Sequence, residues 1–138
     1  MVLKKEYLEK ELDFKKIGEY CLVNNELERS YKEFTKELIS KEWKLVYAFI
    51  VDDLVMYIGK TKQGLCRPLS YHRDYNNNNN KTRSVHKGIR EVVKNNKIIE
   101  VFARVFKPIQ FEKLDINPYV GVEESIIEKY KPAWNDLK

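Results

Sequence analysis

Lys44 to Ile58 constrains the fold more than any other stretch of this chain. KLVYAFIV (44–51) is apolar and rich in β-branched and aromatic residues, Asp52 and Asp53 interrupt it, and LVMYI (54–58) resumes the pattern. Two strand-forming runs joined by two short acidic residues read as a β-hairpin. The acids at its tip are turn chemistry and not a metal pair. The longest apolar run, Leu45 to Val51, is far short of the ~20 residues that cross a bilayer.

Around this hairpin the periodicity changes. Ile98 to Phe106 (IIEVFARVF) predicts a third strand. Upstream, Leu3, Tyr7, Leu8 and Leu12 recur at helical spacing, and Leu27, Tyr31, Phe34 and Leu38 predict a second helix from about Glu26 to Ile39. Asn24 and Asn25 are the break between them. After Gly59 comes a polar loop, and Pro68 opens a short helix. The asparagine run 76–80 is a surface loop. Thr82 caps a third long helix, striped by Val85, Ile89, Val92 and Val93. A last helix enters at Asn117 and Pro118 and ends near Tyr130, because Pro132 follows. The expected class is α/β (α+β): a small three-stranded antiparallel sheet flanked by helices, with an N-terminal helical extension over 1–43 and the main domain over 44–138.

A chain of 138 residues with 9 Tyr, 6 Phe and 2 Trp can bury a core. Cys21 and Cys66 make neither a disulfide framework nor a metal cluster and read as reduced thiols. Met1 to Glu6 shows no apolar signal segment, so a cytoplasmic location is expected. The net charge of +5 is concentrated. Between Lys60 and Arg90 stand Lys60, Lys62, Arg67, Arg73, Lys81, Arg83, Lys87 and Arg90 against Asp74 alone. Such a segment attracts a polyanion and releases counterions from a phosphate backbone, although a solvated face would read the same way.

Residues with chemistry follow in order. Tyr47 and Tyr57 lie on the paired strands, Arg67 follows with Tyr71 and His72 just beyond, and Glu123 precedes Ile126, Ile127, Tyr130, Pro132, Trp134 and Asn135. Singly, each has an ordinary explanation in packing or solvation. Together they resemble the GIY-YIG nuclease family. Leu45, Val46 and Tyr47 stand for its first motif without the Gly and Ile, and Tyr57, Ile58 and Gly59 for the second, intact. The strings YIGKTK, TRSVHKG and PAWN are most similar to the small phage-type endonuclease II, restriction-like branch. The resemblance covers Lys44 to Asn135 and makes 44–138 the catalytic domain. It implies a metal-dependent endonuclease acting on double-stranded DNA.

It also implies roles that fit phosphodiester chemistry. Cleavage needs an activated water and a stabilised transition state. Tyr47 would contact the water, with Lys60 the nearest cation in sequence to lower its pKa. Arg67 offers a fork for two phosphate oxygens. Glu123 would ligate Mg²⁺, with Mn²⁺ as a substitute, and Tyr57 and Tyr71 would orient oxygens. His72 is the alternative to Tyr71, which takes the place of a family histidine. Asn135 would fix the loop after the last helix. Glu123 shares a helix face with Ile126, Ile127 and Tyr130, a face that must pack on the sheet bearing the tyrosines, and Glu124 does not share it. Lys62, Arg73, Lys81, Arg83, His86, Lys87 and Arg90 are the candidate duplex contacts. The competing readings are a structure-specific repair nuclease and a catalytically silent DNA-binding module. The stripe of Leu27, Tyr31, Phe34 and Leu38 would either join subunits of a dimer or tetramer or cap the sheet's own edge.

Overall fold

The computed structural model describes residues 2–32, 43–77 and 81–136. In chain order its elements are α1 (Lys5–Lys10), β1 (Lys15–Val23), β2 (Glu26–Tyr31), β3 (Leu45–Val51), β4 (Leu54–Thr61), α2 (Tyr71–Asn76), α3 (Ser84–Val93), β5 (Ile99–Val105), β6 (Ile109–Phe111), β7 (Leu114–Ile116) and α4 (Pro118–Tyr130). β3 is buried along its whole length. Strand alternation sends Leu45, Tyr47, Phe49 and Val51 into one core and Val46, Ala48 and Ile50 into another. Both faces of the sheet are covered, which is why this strand has no polar position.

The expected hairpin forms from β3 and β4, with Tyr47 opposite Gly59 and Phe49 opposite Tyr57. Asp52 and Asp53, at φ 50° and 67°, give the left-handed pair that matches strand twist in a two-residue turn. β5 pairs with the other side of β3. α4 has Pro118 in its first turn, and Lys131 at φ 48° ends it just before Pro132.

The α+β arrangement of an antiparallel sheet flanked by helices is the one expected, but the sheet has five strands instead of three, in the order β2-β1-β5-β3-β4. The additional pair is β1 and β2, where helices were expected. Leu27 and Tyr31 are four residues apart, a spacing that shares a face on a strand as well as on a helix. Asn24 and Asn25, at φ 49° and 66°, turn a hairpin instead of breaking two helices. Of the first helix only the short α1 forms. Phe34 and Leu38 lie outside the described residues. Pro68 falls between a 3-10 turn (Gly64–Cys66) and α2, and Arg83 takes the cap position of α3 in place of Thr82. β6 and β7 form a small separate hairpin between β5 and α4, where no element was expected.

The two faces of the sheet carry different layers. α2 and α3 cover the face of Tyr47, Phe49 and Tyr57. α1 and α4 cover the face of Val46, Ala48 and Ile58. The free edge of β4 is closed by short segments. Val55 N–H donates to the Leu3 carbonyl (2.9 Å) and Trp134 N–H to the Met56 carbonyl (2.8 Å), which leaves fewer open strand groups.

Candidate active site

Tyr47 on β3 and Tyr57 on β4 turn their rings to one face, and the first residue of α2 brings Tyr71 against them. The three are 2%, 6% and 1% exposed. The Tyr47 and Tyr71 hydroxyls are hydrogen-bonded at 2.7 Å. Phe49 meets Tyr71 edge-on at 4.8 Å between ring centroids, a favourable geometry that fixes both rings. Gly59 provides the space for Tyr47. A Cβ at residue 59 would lie 2.5 Å from Cζ of that ring and 2.7 Å from its hydroxyl. The Arg67 guanidinium lies over the Tyr71 ring, 4.4 Å from its centroid. His72, the alternative to Tyr71, packs instead beside Tyr20 at 6.1 Å.

Burial governs the protonation of this cluster. It holds the Tyr47 phenol well above its ordinary value, with Tyr71 and Tyr57 adding to the effect and Arg67 opposing it by less. Burial likewise pushes Tyr71 up to about 12. Lys60 does not act as the cation expected to lower Tyr47. It is consecutive with Gly59, so its side chain leaves β4 on the opposite face, and its Nζ donates to Glu123 Oε1 at 3.0 Å.

Glu123 reaches the same strand from α4. Its side chain is 15% exposed, whereas Lys60 is 43% exposed. Ile126 is buried, Ile127 and Tyr130 are partly buried and Glu124 is exposed, so the helical face argued from spacing is the one that packs. That face meets the side of the sheet away from the tyrosine rings, not the side that bears them. Tyr47 and Glu123 therefore meet β4 at successive residues, Gly59 and Lys60, from opposite faces. Among the described residues no three His, Cys, Asp or Glu side chains gather as a metal cluster. Glu123 is the carboxylate that would hold a hard cation, through the oxygen that Lys60 does not bond. Asn135 grips the backbone of Ile58 with both amide atoms. Its Oδ1 accepts from Ile58 N–H at 3.0 Å and its Nδ2 donates to the Ile58 carbonyl at 2.8 Å. It holds the strand of Tyr57 and Gly59 in place.

Sequence reasoning missed the residues that hold the Arg67–Tyr71 loop, because they lie on the hairpin read as helices. Tyr20 donates its hydroxyl to the Pro68 carbonyl (2.5 Å) and accepts the Tyr71 N–H (3.0 Å). Arg29 Nη1 donates to the Leu69 carbonyl at 2.7 Å. Asn76 pairs with both the N–H and the carbonyl of Leu27 at 2.7 and 2.8 Å. A lone tyrosine in KKIGEYCLV carried no signal for this.

The basic segment divides. Lys62, Arg73, Lys81, Arg83, Lys87 and Arg90 are all exposed, and two of them also have partners. Lys81 pairs with Asp74 at 3.5 Å. Arg83 Nη2 donates to the Tyr57 hydroxyl at 3.2 Å. His86 is corrected from a duplex contact to a core residue. It is buried, its ring stacks on Tyr71 at 5.5 Å, and burial lowers its pKa, against the pull of Asp74. Gly88 lies against the Trp134 ring, where a Cβ would collide with the indole.

No family model and no curated protein matches the chain. Solved structures do. A glutamate-to-alanine mutant of bacteriophage T4 EndoII is 21% identical, with a TM-score of 0.73 over 97% of this chain and 100% of that one. The restriction endonuclease HPY188I, solved in complex with product DNA, is 17% identical, with a TM-score of 0.55 over 94% of this chain and 83% of that one. The chain shares its fold with a phage enzyme and a restriction enzyme, the branch to which its motifs point.

Proposed function

We propose that this chain is a DNA endonuclease that hydrolyses phosphodiester bonds in double-stranded DNA with the help of Mg²⁺, for which Mn²⁺ can substitute. The observation that carries the reading is the Tyr47–Tyr71 hydroxyl pair with the Arg67 guanidinium over the Tyr71 ring. Two phenols carry two protons, and the bond between them uses one. The other, shared with the nearby Tyr57 hydroxyl, would be donated to an anionic oxygen that enters the cluster. With both phenols raised above their ordinary value, they act at neutral pH as protonated groups that orient the attacking water and a phosphate oxygen. Arg67 supplies a rigid two-point grip on the phosphate and stabilises charge that develops there. A metal ion at Glu123 would supply Lewis-acid stabilisation of the phosphate and leaving oxygen.

The exposed bases Lys62, Arg73, Lys87 and Arg90 would hold the duplex around this centre. The catalytic residues all fall within 44–138, the proposed catalytic domain, and the preceding hairpin braces their loop. A cytoplasmic location and a homo-oligomer are part of the same proposal, since one centre cuts one strand at a time.

Supercoiled plasmid incubated with Mg²⁺ should be nicked and linearised, and EDTA should stop the reaction. Binding with no cleavage in either Mg²⁺ or Mn²⁺ would favour a silent DNA-binding module. Cleavage restricted to forked or damaged DNA would favour a repair nuclease over one that cuts unbranched duplex.

A further inference from the structure

Arg83 is tied to the tyrosine cluster, unlike Lys81, Lys87 and Arg90 of the same basic segment. Like the surface stripe of Lys81, Lys87 and Arg90, it is exposed, but Lys81 meets Asp74 whereas Arg83 turns to the cluster. Arg83 precedes α3 with an extended ψ of 147°, and its side chain runs to the tyrosine cluster, where Nη2 donates to the Tyr57 hydroxyl. Among the described residues neither Arg83 nor Arg67 makes an ion pair with a carboxylate at contact distance, although Asp136, bonded to Ser84, feels the Arg83 charge from farther off. Two guanidiniums thus flank three phenols: Arg67 on Tyr71, Tyr71 on Tyr47, and Arg83 on Tyr57, whose ring centroid is 6.0 Å from that of Tyr47. Two cations beside largely buried phenols, neither held in an ion pair among the described residues, leave donors that an external anion can take.

We propose that Arg83 is a second phosphate-binding residue of the active site, which grips the phosphodiester at the point of cleavage together with Arg67. This rests on the endonuclease reading above. A phosphodiester presents two non-bridging oxygens. One planar fork approaching from the side of Tyr71 and another from the side of Tyr57 can hold both. The bond to Tyr57 uses one N–H of Arg83, fixes the plane of its fork and leaves the remaining donors for the anion. Tyr57 is then the residue that aims Arg83.

The test separates this role from a contact with the duplex backbone. Arg83→Lys keeps the charge and loses the fork, and Arg83→Gln loses both. Because Arg83 is exposed, both variants should fold, which a thermal melt checks. Under saturating plasmid and Mg²⁺, each should lose about 10²-fold in kcat, the order found when one preorganised transition-state donor is removed. Arg83→Lys should keep the wild-type salt slope of duplex binding, which depends on charge. Inorganic phosphate, titrated against the tyrosine ring signals by NMR without metal, should bind the wild type and bind either variant more weakly. Wild-type kcat in Arg83→Lys, or unchanged phosphate binding in both variants, would return Arg83 to the surface stripe. A wild-type protein that cleaves no DNA would overturn the endonuclease reading alone, and the phosphate titration would still decide the role of Arg83.

Discussion

The Tyr20 hydroxyl caps the helix that begins at Tyr71, accepting its N–H at 3.0 Å while donating to the Pro68 carbonyl at 2.5 Å. Ser70, the cap residue of α2, makes no such bond, so the first turn depends on a strand fifty residues away. Tyr20→Phe leaves a buried N–H and a buried carbonyl without partners. It should cost about 1–3 kcal/mol of unfolding free energy. Cleavage should fall further than the remaining folded fraction explains, because Arg67 and Tyr71 ride on the freed loop. A denaturant titration beside a plasmid assay reads both; a stable, fully active Tyr20→Phe protein would remove Tyr20 from the positioning of the site.

Gly59 and Gly121 make opposite predictions for the same substitution. A Cβ at residue 59 intrudes on the buried Tyr47 ring, which Phe49 and Tyr57 keep from moving aside. Gly59→Ala should therefore destabilise by about 1–3 kcal/mol through overpacking and abolish cleavage by displacing the Tyr47 hydroxyl. Gly121 lies in α4 with nothing near its would-be Cβ. Gly121→Ala should stabilise by up to about 1 kcal/mol, the helix penalty of glycine. Thermal melts of the two variants should move in opposite directions.

The contrast between these glycines reflects what the sequence could disclose. The β3–β4 hairpin, β5 and the limits of α4 were legible because strong apolar runs and Pro118 and Pro132 admit one conformation each. The β1–β2 hairpin was not. Its apolar residues Leu27 and Tyr31 satisfy two periods at once, and the Asn24–Asn25 turn was read as a break in a helix. β6 and β7 were hidden for another reason. Ile109, Phe111, Leu114 and Ile116 are all exposed, so no buried face imposes a pattern, and Glu112 with Lys113 at positive φ gives no usual turn signal. At the site, residue identity and order were legible, whereas the opposite approach of Glu123 and Tyr47 to β4 needed the strand's pleat. The Lys60–Glu123 pair and the burial of His86 depend on that same packing.

Alkaline pH should unfold the protein through its buried tyrosines. Burial raises Tyr20, Tyr47 and Tyr71 above the ordinary 10.0, Tyr71 to about 12. Above pH 10 the unfolded chain releases these protons while the folded one retains them. The stability is thus complete below about 10 and is lost as pH rises through the folded values, by about 1.4 kcal/mol per pH unit for each tyrosine involved. Lys5 and Lys16 act with the same sign, since burial lowers them but their carboxylate partners, Glu100 with Asp53 for Lys5 and Glu19 with Glu100 for Lys16, together raise them by more. Following tyrosinate absorbance during alkaline unfolding isolates the tyrosine share. Tyr71→Phe should shallow the slope by about one proton. An identical slope would mean that the Tyr71 phenol titrates as freely in the folded protein as in the unfolded one.

Glu123 and Glu124 are adjacent in sequence and differ in what they touch, which makes them a matched pair for testing the metal role. Glu123 is shielded and bonded to Lys60, whereas Glu124 is exposed to solvent. Since Lys60 is nearly half exposed, their ion pair contributes little to stability, about 1 kcal/mol or less. Glu123→Ala should therefore melt close to the wild type, so that a loss of cleavage is a loss of chemistry. Removing the carboxylate also removes a repulsion against phosphate and frees the Lys60 charge, so duplex binding should be unchanged or tighter while Mg²⁺ no longer restores cutting. Glu124→Ala should retain most activity. Cleavage, duplex affinity and melting temperature measured on both variants decide the matter: an active Glu123→Ala beside an inactive Glu124→Ala would show that the carboxylate paired with Lys60 is not the metal ligand.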